Sequence, residues 1–214
     1  MDAARRNFSR MGLAAATRPR LSEAEYLALE RAAEFRSEYH DGEVFAMAGG
    51  TPEHSLIAKN LLRELGNRLR GRPCRVYNAD LRLKIEAGGL YTYPDASVIC
   101  GPVITPPGAD DVALNPTLVA EVLSPATEAY DRGQKFGFYR RLASLKEYLL
   151  VSQRAARVEL FSLDAQGGWR LSEASGPGAA LAIPALGIQL SLAEVFAGIE
   201  FGVMRLRPDT NRAA

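Results

Sequence analysis

Tyr93-Pro94-Asp95-Ala96-Ser97-Val98-Ile99-Cys100 and Leu118-Val119-Ala120-Glu121-Val122-Leu123 are the two stretches on which the reading of this chain turns. Each sets one acid inside or at the edge of an apolar, β-favouring run. Such runs read as buried sheet strands, where an ionised carboxylate is costly unless it is paired or bound to a cation. Two acids delivered side by side from neighbouring strands would suit a hard metal, Mg2+ or Mn2+. Taken singly, either acid reads more simply as a strand end near solvent.

A third element follows them. Asp131-Arg132-Gly133-Gln134-Lys135-Phe136-Gly137-Phe138-Tyr139-Arg140-Arg141-Leu142 has helical spacing, with Lys135, Phe138, Tyr139 and Leu142 on one face. Lysine is scarce here, confined to Lys59, Lys84, Lys135 and Lys146. One on an apolar helix face is out of place unless something needs its charge. Snorkelling to the surface, or an i,i+4 pair with Asp131, fits the spacing equally well.

Working outward, 214 residues with 47% apolar and 24% charged content fit one ordinary globular domain with ample core. That domain is expected over 21–205, after a disordered extension at 1–20 and before a frayed tail at 206–214. The first twenty residues are rich in Ala and Arg, as in a transit peptide, but they lack a secretory apolar region. Disorder, or a true start at Met11, is the simpler account. No apolar run approaches the roughly 20 residues that span a bilayer, so no membrane partner is expected. The net charge of +1 counts mildly against a nucleic-acid substrate. Arg63, Arg68, Arg70, Arg72 and Arg75 gather around one predicted helix end, where a solvated terminus that complements the dipole is the favoured reading. Cys74 and Cys100 form no CxxC pattern, and free buried thiols in a reducing cytoplasm explain them most simply.

The order of elements points to an α/β or α+β class with a mixed sheet. Ser22-Glu23-Ala24-Glu25 is a capping box that opens a helix to about Ala33. Asp41-Gly42 separates Phe35–His40 from Glu43–Met47 as a hairpin. Thr51-Pro52-Glu53 opens a second helix, with Leu56, Ile57, Asn60, Leu61 and Leu65 inward and a stop at Gly71. Cys74–Ile85 reads as one strand, with Leu81, Leu83 and Ile85 facing opposite to Arg82 and Lys84; Asp80 suggests a bulge in it, or a polar contact that supports a site, more than a metal ligand. Residues 101–116, rich in Pro, Gly and Asp, read as an exposed loop. Strands are expected at Glu147–Ser152, Arg157–Ser162 and Trp169–Ser172, then a loop at Ser175-Gly176-Pro177-Gly178 and a short helix capped by Ser191.

Other chemistry finds little support. Glu38 alone reads as a solvated strand acid, and His54 faces either solvent or a cleft. His40 and His54 are too few and wrongly spaced for zinc. No Gly-x-Ser-x-Gly elbow, Walker loop or Rossmann loop is present.

Together with Asp95, Glu121 and Lys135, several segments resemble the Uma-type restriction-endonuclease family, a branch of the PD-(D/E)xK nuclease superfamily. They are Glu38-Tyr39-His40-Asp41-Gly42-Glu43, Met47-Ala48-Gly49-Gly50-Thr51 with His54, Tyr93-Pro94-Asp95, Glu121-Val122-Leu123-Ser124-Pro125, Asp131 through Lys135 to Tyr139, and Lys146-Glu147-Tyr148. The resemblance spans about 21–163. It implies a restriction-endonuclease-like fold, a central mixed sheet flanked by helices, and hydrolysis of DNA phosphodiester bonds with Mg2+ or Mn2+. It assigns Asp95 and Glu121 to metal binding and brings Glu38 in as a third acid. The superfamily pattern puts lysine two residues after the second acid, where this chain has Leu123; Lys135 is the substitute the resemblance suggests. A non-catalytic nucleic-acid-binding or regulatory module on the same fold stays open, as does a hydrolase of smaller phosphate esters. A two-fold homodimer is the default assembly for a cutter of both strands.

Overall fold

Local signals in the first quarter act as written. The computed structural model describes residues 20–47 and 49–201, so the expectations placed on 1–19 and 206–214 lie outside the described residues. The Ser22 hydroxyl accepts from the Glu25 N–H and the Glu25 carboxylate from the Ser22 N–H, which caps α1 (Glu23–Ala32). Asp41 and Gly42 both take positive φ, 46° and 88°. That is the left-handed pair a two-residue hairpin requires, and it joins β1 (Ser37–His40) to β2 (Glu43–Ala46). The Thr51 hydroxyl accepts from the His54 N–H to cap α2 (Pro52–Arg68), which buries Ile57, Asn60, Leu61, Glu64 and Leu65.

The single strand expected over Cys74–Ile85 is two strands in two sheets, β3 (Cys74–Asn78) and β4 (Arg82–Ile85). Turn chemistry overrides the alternation: the Asn78 side chain accepts from the Asp80 N–H and donates to its carboxylate, and Leu81 N–H bonds back to the Asn78 carbonyl. Asp80 is therefore a corner, not a bulge. Arg82 does not face solvent; it is buried, donating to the Tyr93 hydroxyl at 2.6 Å and to Asp111 at 3.0 Å. β5 (Leu90–Thr92) and β6 (Ala96–Cys100) follow. The loop expected at 101–116 is exposed only in its first part, because Ala109, Val112 and Ala113 are buried and β7 (Val112–Ala113) pairs in parallel with β4. The expected free thiols are instead a Cys74–Cys100 disulfide, since the register of β3 on β6 sets the two residues directly opposite. The cysteines thus lend no support to a reducing compartment.

β8 (Leu118–Leu123) leads into one helical segment made of α3 (Glu128–Tyr130), a π-turn at Asp131–Lys135 and α4 (Phe136–Tyr139). β9 (Glu147–Ser152), β10 (Arg157–Leu163) and β11 (Trp169–Ser175) complete the main sheet. A hairpin of β12 (Ala180–Ile183) and β13 (Ile188–Ser191), a stretch to which the sequence assigned no element, precedes α5 (Leu192–Val195). The main sheet runs β11-β10-β9-β8-β6-β3 and is antiparallel except for the parallel pair β8–β9. The smaller sheet runs β2-β1-β5-β4-β7. This is the mixed α+β architecture expected of the restriction-endonuclease-like class.

Both faces of the main sheet are covered. Leu118, Ala120 and Val122 pack with α2, α5 and the β12–β13 hairpin, whereas Val119 and Leu123 pack with β4, β5 and α4. A strand alternates its side chains, so Glu121 shares the face of Val119 and Leu123 and points between the sheets. Among the described residues, no helix is long and apolar enough to cross a membrane.

Candidate active site

Asp95, Glu121, Glu38 and Lys135 reach one cavity of about 460 Å3 from four different elements. Asp95 lies one residue before β6. Its Oδ2 accepts from the Val122 N–H of β8 at 2.7 Å, and its own N–H faces Glu121 Oε2 at 3.4 Å. The two acids therefore sit side by side because β6 and β8 are antiparallel neighbours in the Ala96–Ala120 register. Glu38 arrives from β1, where Thr92 of the adjoining β5 donates to its Oε1. Lys135 comes from the π-turn, whose wide geometry turns both Asp131 and Lys135 inward. Tyr148 donates to the Asp131 carbonyl at 3.0 Å within that turn.

Lys135 is buried, with its Nζ 2.9 Å from Glu121 Oε1, 3.1 Å from Glu38 Oε1 and 3.8 Å from Asp131 Oδ1. The i,i+4 contact with Asp131 does exist, but as one side of a buried cage rather than a surface pair. Burial works against the ammonium, yet the three carboxylates outweigh it and hold the lysine pKa well above its usual value. Burial pushes Glu121 up to about 8, against the pull of Lys135 and with further lift from Asp95 and Asp131. Tyr139 donates to Glu121 Oε1 at 2.8 Å. Burial also raises Asp131, with Lys135 opposing it.

The donor set is hard oxygen, and its carboxylates outnumber the lysine. Among the described residues, no group of three or more His, Cys, Asp or Glu side chains is close enough to hold an ion alone. A cation would meet these residues from one side only: Glu121 Oε2 faces the Asp95 N–H while its Oε1 is engaged by Lys135 and Tyr139, and the Asp95 oxygens accept from His54 and the Val122 N–H, each with a lone pair to spare. Water and substrate oxygens would complete its shell, as hard divalent ions in phosphate sites commonly accept.

A family model named Uma2, with the description "Putative restriction endonuclease", matches residues 23–193. The chain belongs to the Uma2 family. Two Synechocystis sp. proteins, both named as uncharacterized, are similar to this Uma2 member. Protein slr1290 is 36% identical over 183 residues, covering 86% of this chain and 95% of the relative. Protein sll1609 is 37% identical over 164 residues, covering 77% and 93%. A crystal structure of a "putative nuclease belonging to DUF820" from Anabaena variabilis shares the fold, with a TM-score of 0.66 at 19% identity over 81% of this chain and 96% of that one.

Of the two alternatives left open for His54, solvent or a cleft, the structure takes the cleft, and it adds Gln153, which the sequence did not single out. His54 Nε2 lies 2.9 Å from Asp95 Oδ1, and its Nδ1 lies 2.7 Å from Gln153 Nε2. The Asp95 hydrogen bond raises the histidine pKa against the effect of burial. The Thr51 cap held the signal for His54, since it fixes that residue at the start of α2, where the helix dipole favours a nearby carboxylate. Gln153 carried no signal alone; it sits just past β9, at the same end of the parallel pair as Glu121.

Proposed function

We propose that this protein is a Mg2+- or Mn2+-dependent endonuclease that hydrolyses DNA phosphodiester bonds at the Asp95–Glu121–Lys135 cavity. The observation that carries the reading is the buried Lys135 set against Glu121 beside Asp95, an arrangement a plain scaffold has no use for. Asp95 and Glu121 would hold the ion, with Glu38 as the third acid that also steadies the lysine. A bound divalent ion polarises the phosphate and lowers the pKa of its water. Lys135, held by three carboxylates, has a fixed position from which to orient an attacking water or offset charge growing on the phosphate. Through His54, the Asp95 carboxylate is kept from rotating away from Glu121.

Plasmid nicking with Mg2+ and Mn2+ tests this, beside EDTA and a folded Asp95→Ala variant. Nicking by the parent alone, lost in EDTA, is the expected result. Equal nicking by the variant would remove this site from the chemistry.

A second reading rests on a specific feature. Lys135 already neutralises one Glu121 oxygen, no three-ligand cage is preformed among the described residues, and Leu123 stands at the superfamily's lysine position. These features suit a nucleic-acid-binding or regulatory module without turnover. DNA binding by the parent with no cleavage in either metal would favour it.

A further inference from the structure

The arginines at the far end of α2 are unused by the active-site reading. A groove of about 780 Å3 runs between the C-terminal half of α2 and β3, lined among others by Gly66, Arg70, Arg72 and Arg75. β3 is the edge of the main sheet and pairs with β6 alone, so one side of its backbone faces the groove. Arg72 is tethered to the Leu186 and Gly187 carbonyls, and Arg75 to the Arg72 and Cys74 carbonyls. These are neutral partners, which fix the guanidinium groups and leave their charge uncancelled. Lys59 and Arg63 extend the same sign along the exposed side of α2 at i,i+4 spacing, and Arg70 follows just past its end. In this group, Arg63 meets Glu194 and Arg68 meets Glu64.

The other end of α2 carries His54 at the cavity. Seventeen helical residues span about 25 Å, which is about seven base-pair steps. We propose that the exposed side of α2 and the groove against β3 form a duplex-DNA track, which grips phosphates about seven base pairs from the one at the cavity. The inference rests on the nuclease reading and names where its substrate lies. A net charge of +1 over the whole chain does not count against such a track, because it is the local cluster of cations that meets the phosphates.

Other occupants fit less well. Edge-to-edge pairing of β3 with a second copy would set Arg70, Arg72 and Arg75 against their own kind, which is repulsive. The chain's two ends carry Arg5, Arg6, Arg10 and Arg18, and Arg205, Arg207 and Arg212, which have the same sign. An acidic peptide added to β3 would use the groove but not Lys59 and Arg63, which continue along the helix toward the cavity.

The test is anisotropy of a labelled duplex of about 30 base pairs in EDTA over a salt series. It compares the full-length parent with Arg70→Glu/Arg75→Glu and with Gly66→Glu. A Cβ at Gly66 meets no atom within 4 Å, so that variant puts an acid in the groove without disturbing the fold. Both variants should bind at least about ten-fold more weakly, and the double variant should flatten the salt dependence by one to two units. Their Mn2+-dependent hydrolysis of bis(p-nitrophenyl) phosphate should match the parent. Equal duplex binding by parent and variants overturns the track but spares the nuclease reading. A parent that ignores the duplex yet binds a polyglutamate peptide overturns the track in favour of a protein partner. A parent inert on both plasmid and small diester, while the variants lose duplex affinity, supports the track and defeats the nuclease reading.

Discussion

Glu121 on β8 and Glu147 on β9 are carboxylates buried in adjacent parallel strands, and they are accommodated in opposite ways. Glu147 sits at the start of β9, opposite Leu118, and its partners are neutral: the Ala185 N–H at 2.9 Å and the Ser162 hydroxyl at 3.5 Å. Its Oε2 has no partner, and burial pushes its pKa up to about 7. Glu121 sits near the other end of the pair, opposite Leu150, with an ammonium, a phenol and a second carboxylate around it. Burial alone therefore does not mark a functional acid. Burial raises the pKa of both, so that rise does not separate them; what does is their company, neutral groups around Glu147 and charged ones around Glu121, at the C-terminal ends of parallel strands where such sheets bind ligands.

The comparison can be broken most decisively at Glu121. Glu121→Gln should cut metal-dependent nicking by more than about 100-fold, because it removes charge at the ion and at Lys135 together. Glu147→Gln should leave nicking unchanged. Loss of nicking in the Glu147 variant, with a normal melting curve, would end the distinction.

Lys135→Met probes the charge balance through stability. Removing the lysine leaves Glu121, Glu38 and Asp131 buried without a cation, which costs on the order of 3–5 kcal/mol at pH values above the Glu121 pKa of about 8. The loss should shrink in melts as pH falls from about 9 to about 5, because Glu121 takes up a proton through about 8 and Asp131, whose folded pKa is also raised, follows. A pH-independent loss would mean that packing, not charge, is what the lysine supplies.

Glu147 titrates with the same sign but has no cation beside it. Its folded pKa lies above its unfolded value, so the folded state holds the proton more tightly and stability falls as pH rises from about 4.5 to about 7. Glu147→Gln should thus raise the unfolding free energy at about pH 8, by on the order of 3 kcal/mol, and change little at about pH 4.5. An equal change at both pH values would deny that the parent carboxyl ionises in place.

The smallest effect is expected from Gly50→Ala. A Cβ there would stand 2.9 Å from the His54 ring, which Asp95 and Gln153 hold on both sides. Displacing the ring should weaken Mn2+ binding, read by calorimetry, by roughly ten-fold with little change in stability. Unchanged affinity would mean that His54 does not steady Asp95.

What was legible in the chain follows from how local each signal is. The Ser22 cap, the Asp41-Gly42 hairpin and the Thr51-Pro52 helix start were readable because their hydrogen bonds close within a few residues. Cys74–Ile85 misled because alternation continues through the Asn78–Leu81 corner, and alternation cannot say which sheet a strand joins. The β12–β13 hairpin went unseen beside a glycine- and proline-rich loop. The disulfide depends on a register that neither cysteine encodes alone.

By itself the sequence determined which residues had to be explained: two acids in apolar runs and one lysine on an apolar helix face, each costly to bury unpaired. Only the tertiary structure decided that these costs cancel against one another. Antiparallel pairing brings Asp95 beside Glu121, the π-turn swings Lys135 onto Glu121, and α2 lays His54 on Asp95. The physical reason is range. Caps and turns are satisfied by neighbours in the chain, whereas a buried charge can be satisfied only by groups that the packing of distant strands and helices carries to it.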